Sequence, residues 1–192
     1  MNVVTSFFLR AKHWQIFLLL FGMSVLGDVA VVSTSLTTTQ SSQDLWNPGF
    51  LLFAALTLLF MFGFLGWLWS MGSFLDSIVH PELRLETKIF RVALIYPMCY
   101  LPLFIAFFLS LSVMPMLFVI IFPLHLLAMS CMFYLLYFVS KSLVLAETSS
   151  AASFYDYAGP FFLIWFFPLG VWFIQPRING LYGQALRDDG RS

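Results

Sequence analysis

The stretch VALIYPMCYLPLFIAFFLSLSVMPMLFVIIFPLHLLAMSCMFYLLYFVS, residues 92–140, runs for 49 residues without an Asp, Glu, Lys or Arg. At about 1.5 Å per helical residue it is long enough to cross a ~30 Å hydrocarbon layer twice. A helical hairpin inside a membrane is the economical reading. Working outward, Arg84, Lys88 and Arg91 precede the stretch and Lys141 follows it, so its two ends are held on one side. Two further apolar runs lie before it and a shorter one after it. With spans at about residues 14–33, 50–74, 92–111 and 115–139, all nine Lys and Arg residues fall on one side, the others being Arg10, Lys12, Arg177, Arg187 and Arg191. Basic residues are retained on the cytoplasmic side during insertion, which predicts cytoplasmic termini.

Composition supports the same class. The chain has 192 residues, 61% hydrophobic and 9% charged, with 24 Phe and a mean hydropathy of +0.93. No water-soluble core of this size needs so much apolar surface. The expected fold is therefore all-α, a polytopic transmembrane helix bundle forming one membrane domain. Formal net charge is zero and no basic run carries interleaved aromatics, so no nucleic-acid partner is expected. Cys99 and Cys131 both fall inside spans, where neither a disulfide framework nor a zinc site is expected. The first apolar run also has some look of a signal peptide, with Val31 and Ser33 as a cleavage site. Asp28 and the length of the run favour an uncleaved first helix.

A Ser/Thr/Gln-rich outer loop follows from Ser33 to Asn47, and Asn47 with Pro48 reads as the cap and first position of the second helix. Trp67 and Trp69 are placed as interface anchors. The segment from His80 to Arg91 mixes charges of both signs and reads as a solvated turn or short helix. Pro97, Pro102 and Pro123 lie inside spans, where kinks without breaks are expected. The final run, Phe161–Ile174, would cover only about 21 Å as a helix and is divided by Pro168, Leu169 and Gly170. If it crossed, the basic tail at residues 176–192 would lie outside. A re-entrant segment with the Pro-Leu-Gly sequence near its turn is expected, the alternative being a short fifth span over residues 158–175.

PLHLLAMSCMFYLLYFVSKSL, Pro123 to Leu143, and FFLIWFFPLGVWFIQPRIN, Phe161 to Asn179, resemble segments of an uncharacterised family of small bacterial polytopic membrane proteins. The most specific part is WFFPLGVWFIQPRIN, from Trp165, with Lys141 and Glu147 as a matching upstream pair. The resemblance covers about the C-terminal third and implies a bacterial inner membrane. It implies no activity, cofactor or partner.

Few residues carry candidate chemistry. His125 lies within the fourth span, where an ionisable group is costly, so a site is one reading and a neutral interhelical hydrogen bond the other. In either role it is expected to be buried with a polar partner. Asp28 sits near the outer end of the first span and pairs across helices or reaches water. Gly22, Met23 and Ser24 spell the small-x-serine pattern of some intramembrane proteases, a motif too short to carry that chemistry alone. Met and Cys residues of the third and fourth spans offer soft ligands, yet methionine is an ordinary filler of helix contacts. No metal or cofactor site is expected. Pro168 and Gly170 are candidates for a turn or gate, and Gln175, Arg177 and Asn179 for contacts with lipid headgroups. Small residues on the first two spans allow close packing within the chain or self-association.

Without a catalytic signature, the chain reads first as a structural or interaction component, partnered by lipids, by itself or by another membrane protein. A small-substrate or proton-linked transporter or channel using His125 and Asp28 is the alternative. An intramembrane enzyme comes third.

Overall fold

The computed structural model describes residues 3–37, 48–110, 116 and 118–189, and every regular element among them is helical. In chain order these are α1 (Val3–Arg10), α2 (His13–Thr37), α3 (Pro48–Ile78), a 3₁₀ turn at Pro81–Leu83, α4 (Thr87–Ser110), α5 (Phe118–Thr148), α6 (Phe154–Trp165) and α7 (Phe167–Asp189). Helices α2 to α5 are each long and apolar enough to cross a bilayer. The chain is thus an all-α, multi-pass membrane protein. The expected outer loop is helical at its start, since α2 continues through Ser33 to Thr37; residues 38–47 with the Asn47 cap, the connection at 111–115 and Arg191 lie outside the described residues.

The spanning helices outrun the apolar segments that announce them. α3 continues to Ile78, α4 starts at Thr87 and α5 reaches Thr148, taking Lys141 and Glu147 into the helix. Helical hydrogen bonds close within the segment itself, so a helix does not stop where hydropathy falls. Chain geometry stops α5 instead: Ser149 has φ 51°, a left-handed residue just past the helix end. α1 is an additional short helix that hydropathy alone does not separate from α2. The chain breaks between them, and Gln15 accepts a hydrogen bond from the Lys12 backbone N–H at 2.8 Å, half of a capping box that restarts the helix at His13.

Successive long helices are antiparallel neighbours. Leu20 and Phe53 lie against Gly63 and Gly27 across the α2–α3 contact. Between α4 and α5, Phe90 stacks on Phe138 with ring centroids 4.2 Å apart, and the Tyr96 hydroxyl donates to the Leu124 carbonyl at 3.0 Å. A Cβ on Gly72 would come within 2.4 Å of the Phe90 ring, so glycine on α3 makes the room that Phe90 occupies. Trp67, Leu68, Phe90, Phe138 and Leu143 form the fully buried centre. Hydrocarbon is as apolar as these side chains, so close packing holds them rather than escape from water. The outward faces carry Leu26, Val92, Val119 and Leu126.

The last two helices form an elbow. α6 runs back along α5, with Tyr157 5.5 Å from Tyr137 and Trp165 4.7 Å from Phe133. α7 then follows α3, with Phe167 5.5 Å from Trp67 and Tyr182 5.3 Å from Phe74. Both ends of the elbow therefore lie at the end of the bundle where α3 and α5 finish, beside Lys12, Arg84 and Lys141. We call this the basic end. The entry to α6 is fixed by Asp156, whose carboxylate accepts from the Ser153 hydroxyl and backbone N–H, each at 2.7 Å. Those two bonds hold the Asp156 carboxyl below the usual carboxylate range.

The turn sits earlier than the sequence suggests. Phe166 (φ −83°, ψ 57°) leaves helical geometry, whereas Pro168 is the second residue of α7, where its missing N–H costs no helical bond. Gly170 has a different task from turning the chain. A Cβ there would lie 1.5 Å from the Leu163 carbonyl oxygen, so the backbones of the two arms touch. The hydrogen in the Cβ's place points at that oxygen, a weak Cα–H···O contact. The elbow exposes Phe162, Phe166, Leu169 and Phe173.

Candidate functional site

The α4–α5 hairpin brings one polar pair into an apolar setting. Tyr96, Tyr100 and Phe104 recur every fourth residue and so share one face of α4; Tyr96 and Tyr100 stack at 6.0 Å. Opposite them on α5, the His125 Nδ1 meets the Tyr100 hydroxyl at 3.1 Å, and the imidazole stacks on Phe104 at 5.1 Å. The expectation of a polar partner is met, but that of burial is corrected: Tyr100 is buried while His125 is exposed. The exposed ring borders a lateral cleft of ≈ 330 Å³ between α3, α4, α5 and the tip of α6. Met61, Leu101, Met129, Met132 and Trp165 supply its apolar wall. From His125 to the level of Phe133 and Trp165 the cleft follows about 12 Å of α5.

The other intramembrane candidates are not assembled with His125. Asp28 is exposed on α2, bordering a hollow with Val31, Val32, Phe50 and Phe53. Ser24 is half-buried on the same helix. α2 packs on α3 and α7, whereas His125 makes its contacts to α4. Among the described residues no three His, Cys, Asp or Glu side chains converge as metal ligands.

Gln175 and Asn179 do something other than meet headgroups. Gln175 is fully buried. Its Oε1 accepts from Trp67 Nε1 at 2.8 Å, and its Nε2 donates to the carbonyls of Phe8 at 2.8 Å and Ala11 at 3.1 Å, and to Asn179 Oδ1 at 2.9 Å. Asn179 Nδ2 also reaches the Ala11 carbonyl at 3.1 Å. These carbonyls belong to the end of α1 and the break after it, where helix geometry leaves acceptors unpaired. Two α7 side chains thus cap α1 from the far end of the chain, correcting the expectation of a lipid contact at Gln175. Arg177 is partly exposed and forms a two-pronged ion pair with Glu147, its Nε 2.7 Å from Oε1 and its Nη2 on Oε2. Lys141 completes this end, donating to the Tyr137 hydroxyl at 3.1 Å beneath the Tyr157 ring.

Sequence reasoning missed Tyr100, although the spacing of Tyr96, Tyr100 and Phe104 was a signal available to it. No family model matches the chain, and no curated protein or solved structure matches it.

Proposed function

We propose that the chain is a non-catalytic interaction component of a cell membrane, a bacterial inner membrane with both ends of the bundle's elbow in the cytoplasm. It binds, in its lateral cleft, a lipid-soluble molecule that carries a hydrogen-bonding head. One observation carries this reading: the 3.1 Å Tyr100–His125 pair set in an otherwise apolar wall. Ligand sites of roughly 300–1,000 Å³ combine apolar lining with a few placed polar groups, which is the make-up of this cleft. An exposed imidazole in hydrocarbon also gains from a polar occupant.

A binding role is preferred to an enzyme because Ser24 and His125 stand on helices that do not bring them together. The transport reading loses its second group for the same reason, since Asp28 borders α3 at a separate hollow. Re-entry of the elbow is supported by the one-sided placement of its two ends and by the aromatic surface at its bend. Lipids and a protein neighbour remain the partners in this proposal.

The test is organic extraction of the purified full chain followed by mass spectrometry. A lipid-soluble species retained near one per chain should be lost in His125→Leu and Tyr100→Phe, with helicity and elution volume unchanged. Identical extracts from all three proteins would overturn the proposal. Ion or proton flux in liposomes that disappears in His125→Ala would replace it with transport.

A further inference from the structure

With Gln175 and Asn179 engaged inside the protein and Arg177 paired, the headgroup contact expected at the basic end needs another location. A second groove, of ≈ 480 Å³, opens along a different strip of α4, between α1, α3 and α4. Thr5, Trp69 and Arg91 stand at its basic end, and Phe62, Ile95 and Met98 line it toward the middle of the bundle. Arg91 to Met98 on α4, and Trp69 to Phe62 on α3, each cover about 10 Å of helix. The groove therefore has polarity as well as length: a cation and an indole at the interface, then apolar side chains running inward.

Arg91 is exposed. Its neighbours on α4 add positive charge, since Lys88 lies three residues before it on the same face. Two of the charged groups nearby have other engagements: Asp76 accepts from the Thr87 hydroxyl at 3.1 Å, and Arg84 donates to the Val79 carbonyl at 3.0 Å; Glu82 and Glu86 stand exposed in the turn before α4. Trp69 stacks flat on Phe90 at 6.0 Å, which holds the indole as a fixed wall.

We propose that this groove holds one anionic phospholipid, its phosphate on Arg91 and an acyl chain along Trp69, Ile95 and Met98. Charge complementarity selects the occupant. A guanidinium binds phosphate with two parallel donors, and basic side chains at the cytoplasmic surface favour anionic lipids. A neutral apolar helix would leave Arg91 without a counter-charge.

Native mass spectrometry of the full chain, released from micelles doped with equal phosphatidylglycerol and phosphatidylcholine, tests the site. Wild-type protein should retain phosphatidylglycerol preferentially, and Arg91→Gln should reduce that preference about fivefold. Ile95→Trp keeps the charge and fills the groove, so it should also lose the bound lipid. Arg187→Gln, on the exposed end of α7, should leave the preference unchanged. Retention of the preference in Arg91→Gln or in Ile95→Trp would overturn the proposal. So would full competition by glycerol phosphate, which has the headgroup chemistry and no chain. Loss in the Arg187 variant equal to that in the Arg91 variant would show a diffuse charge effect and overturn it as well.

Discussion

Replacing Gln175 by Leu keeps the side chain's approximate volume and removes its amide. Trp67 Nε1 would lose its acceptor and the carbonyl of Phe8 its donor, each buried polar group left unpaired costing about 1–3 kcal/mol. The variant should be destabilised by about 2–4 kcal/mol on that scale, measured by denaturant or thermal unfolding in a fixed detergent. A change within about 0.5 kcal/mol, the range of ordinary surface substitutions, would show that the network contributes no net stability. The residue scale is also where the sequence was least readable. An amide a few residues past a proline in a Phe-rich run looks like an interface anchor, because its acceptors lie 164 and 167 positions away and leave no local pattern.

At the scale of the element, the elbow depends on contact between backbones. Gly170→Ala should force the α6 and α7 arms apart, with an overpacking cost of about 1–3 kcal/mol. Gly180, on α7, has open space where a Cβ would stand, with nothing within 4 Å, and no proline follows it. Gly180→Ala should therefore be neutral or stabilising by about 0.5–1 kcal/mol through helix propensity. Unfolding of the pair under the same conditions checks this; equal effects would refute the close approach. The spanning helices were legible from their uncharged runs, and the short last run was legible as interrupted, where the structure has the break between α6 and α7. The position of the bend was not, because Pro168 and Gly170 resemble turn residues while one starts a helix and the other lets two arms touch. Helix ends were misjudged by several residues for a physical reason already visible in α5: Lys141 extends outward from a helix without ending it. The Tyr96, Tyr100 and Phe104 stripe could be read as a face, but only the register set by Phe90 on Phe138 puts His125 opposite it.

For the whole molecule, the testable quantity is sidedness. A cysteine introduced at Ser192, in a background lacking Cys99 and Cys131, should react with an impermeant maleimide only after the cells are permeabilised. Labelling of intact cells would place the tail outside and remove the basis for re-entry. The capping of α1 by α7 has a further consequence, in time rather than space. At roughly 5–20 residues per second, the ribosome delivers Gln175 about 8–33 s after the Ala11 carbonyl it bonds. Through that interval the Phe8 and Ala11 carbonyls at the end of α1 lack these side-chain donors. The earliest part of the chain to be made is thus among the last to be completed, and a nascent chain halted before α7 leaves its amino-terminal helix packed on α3 but uncapped.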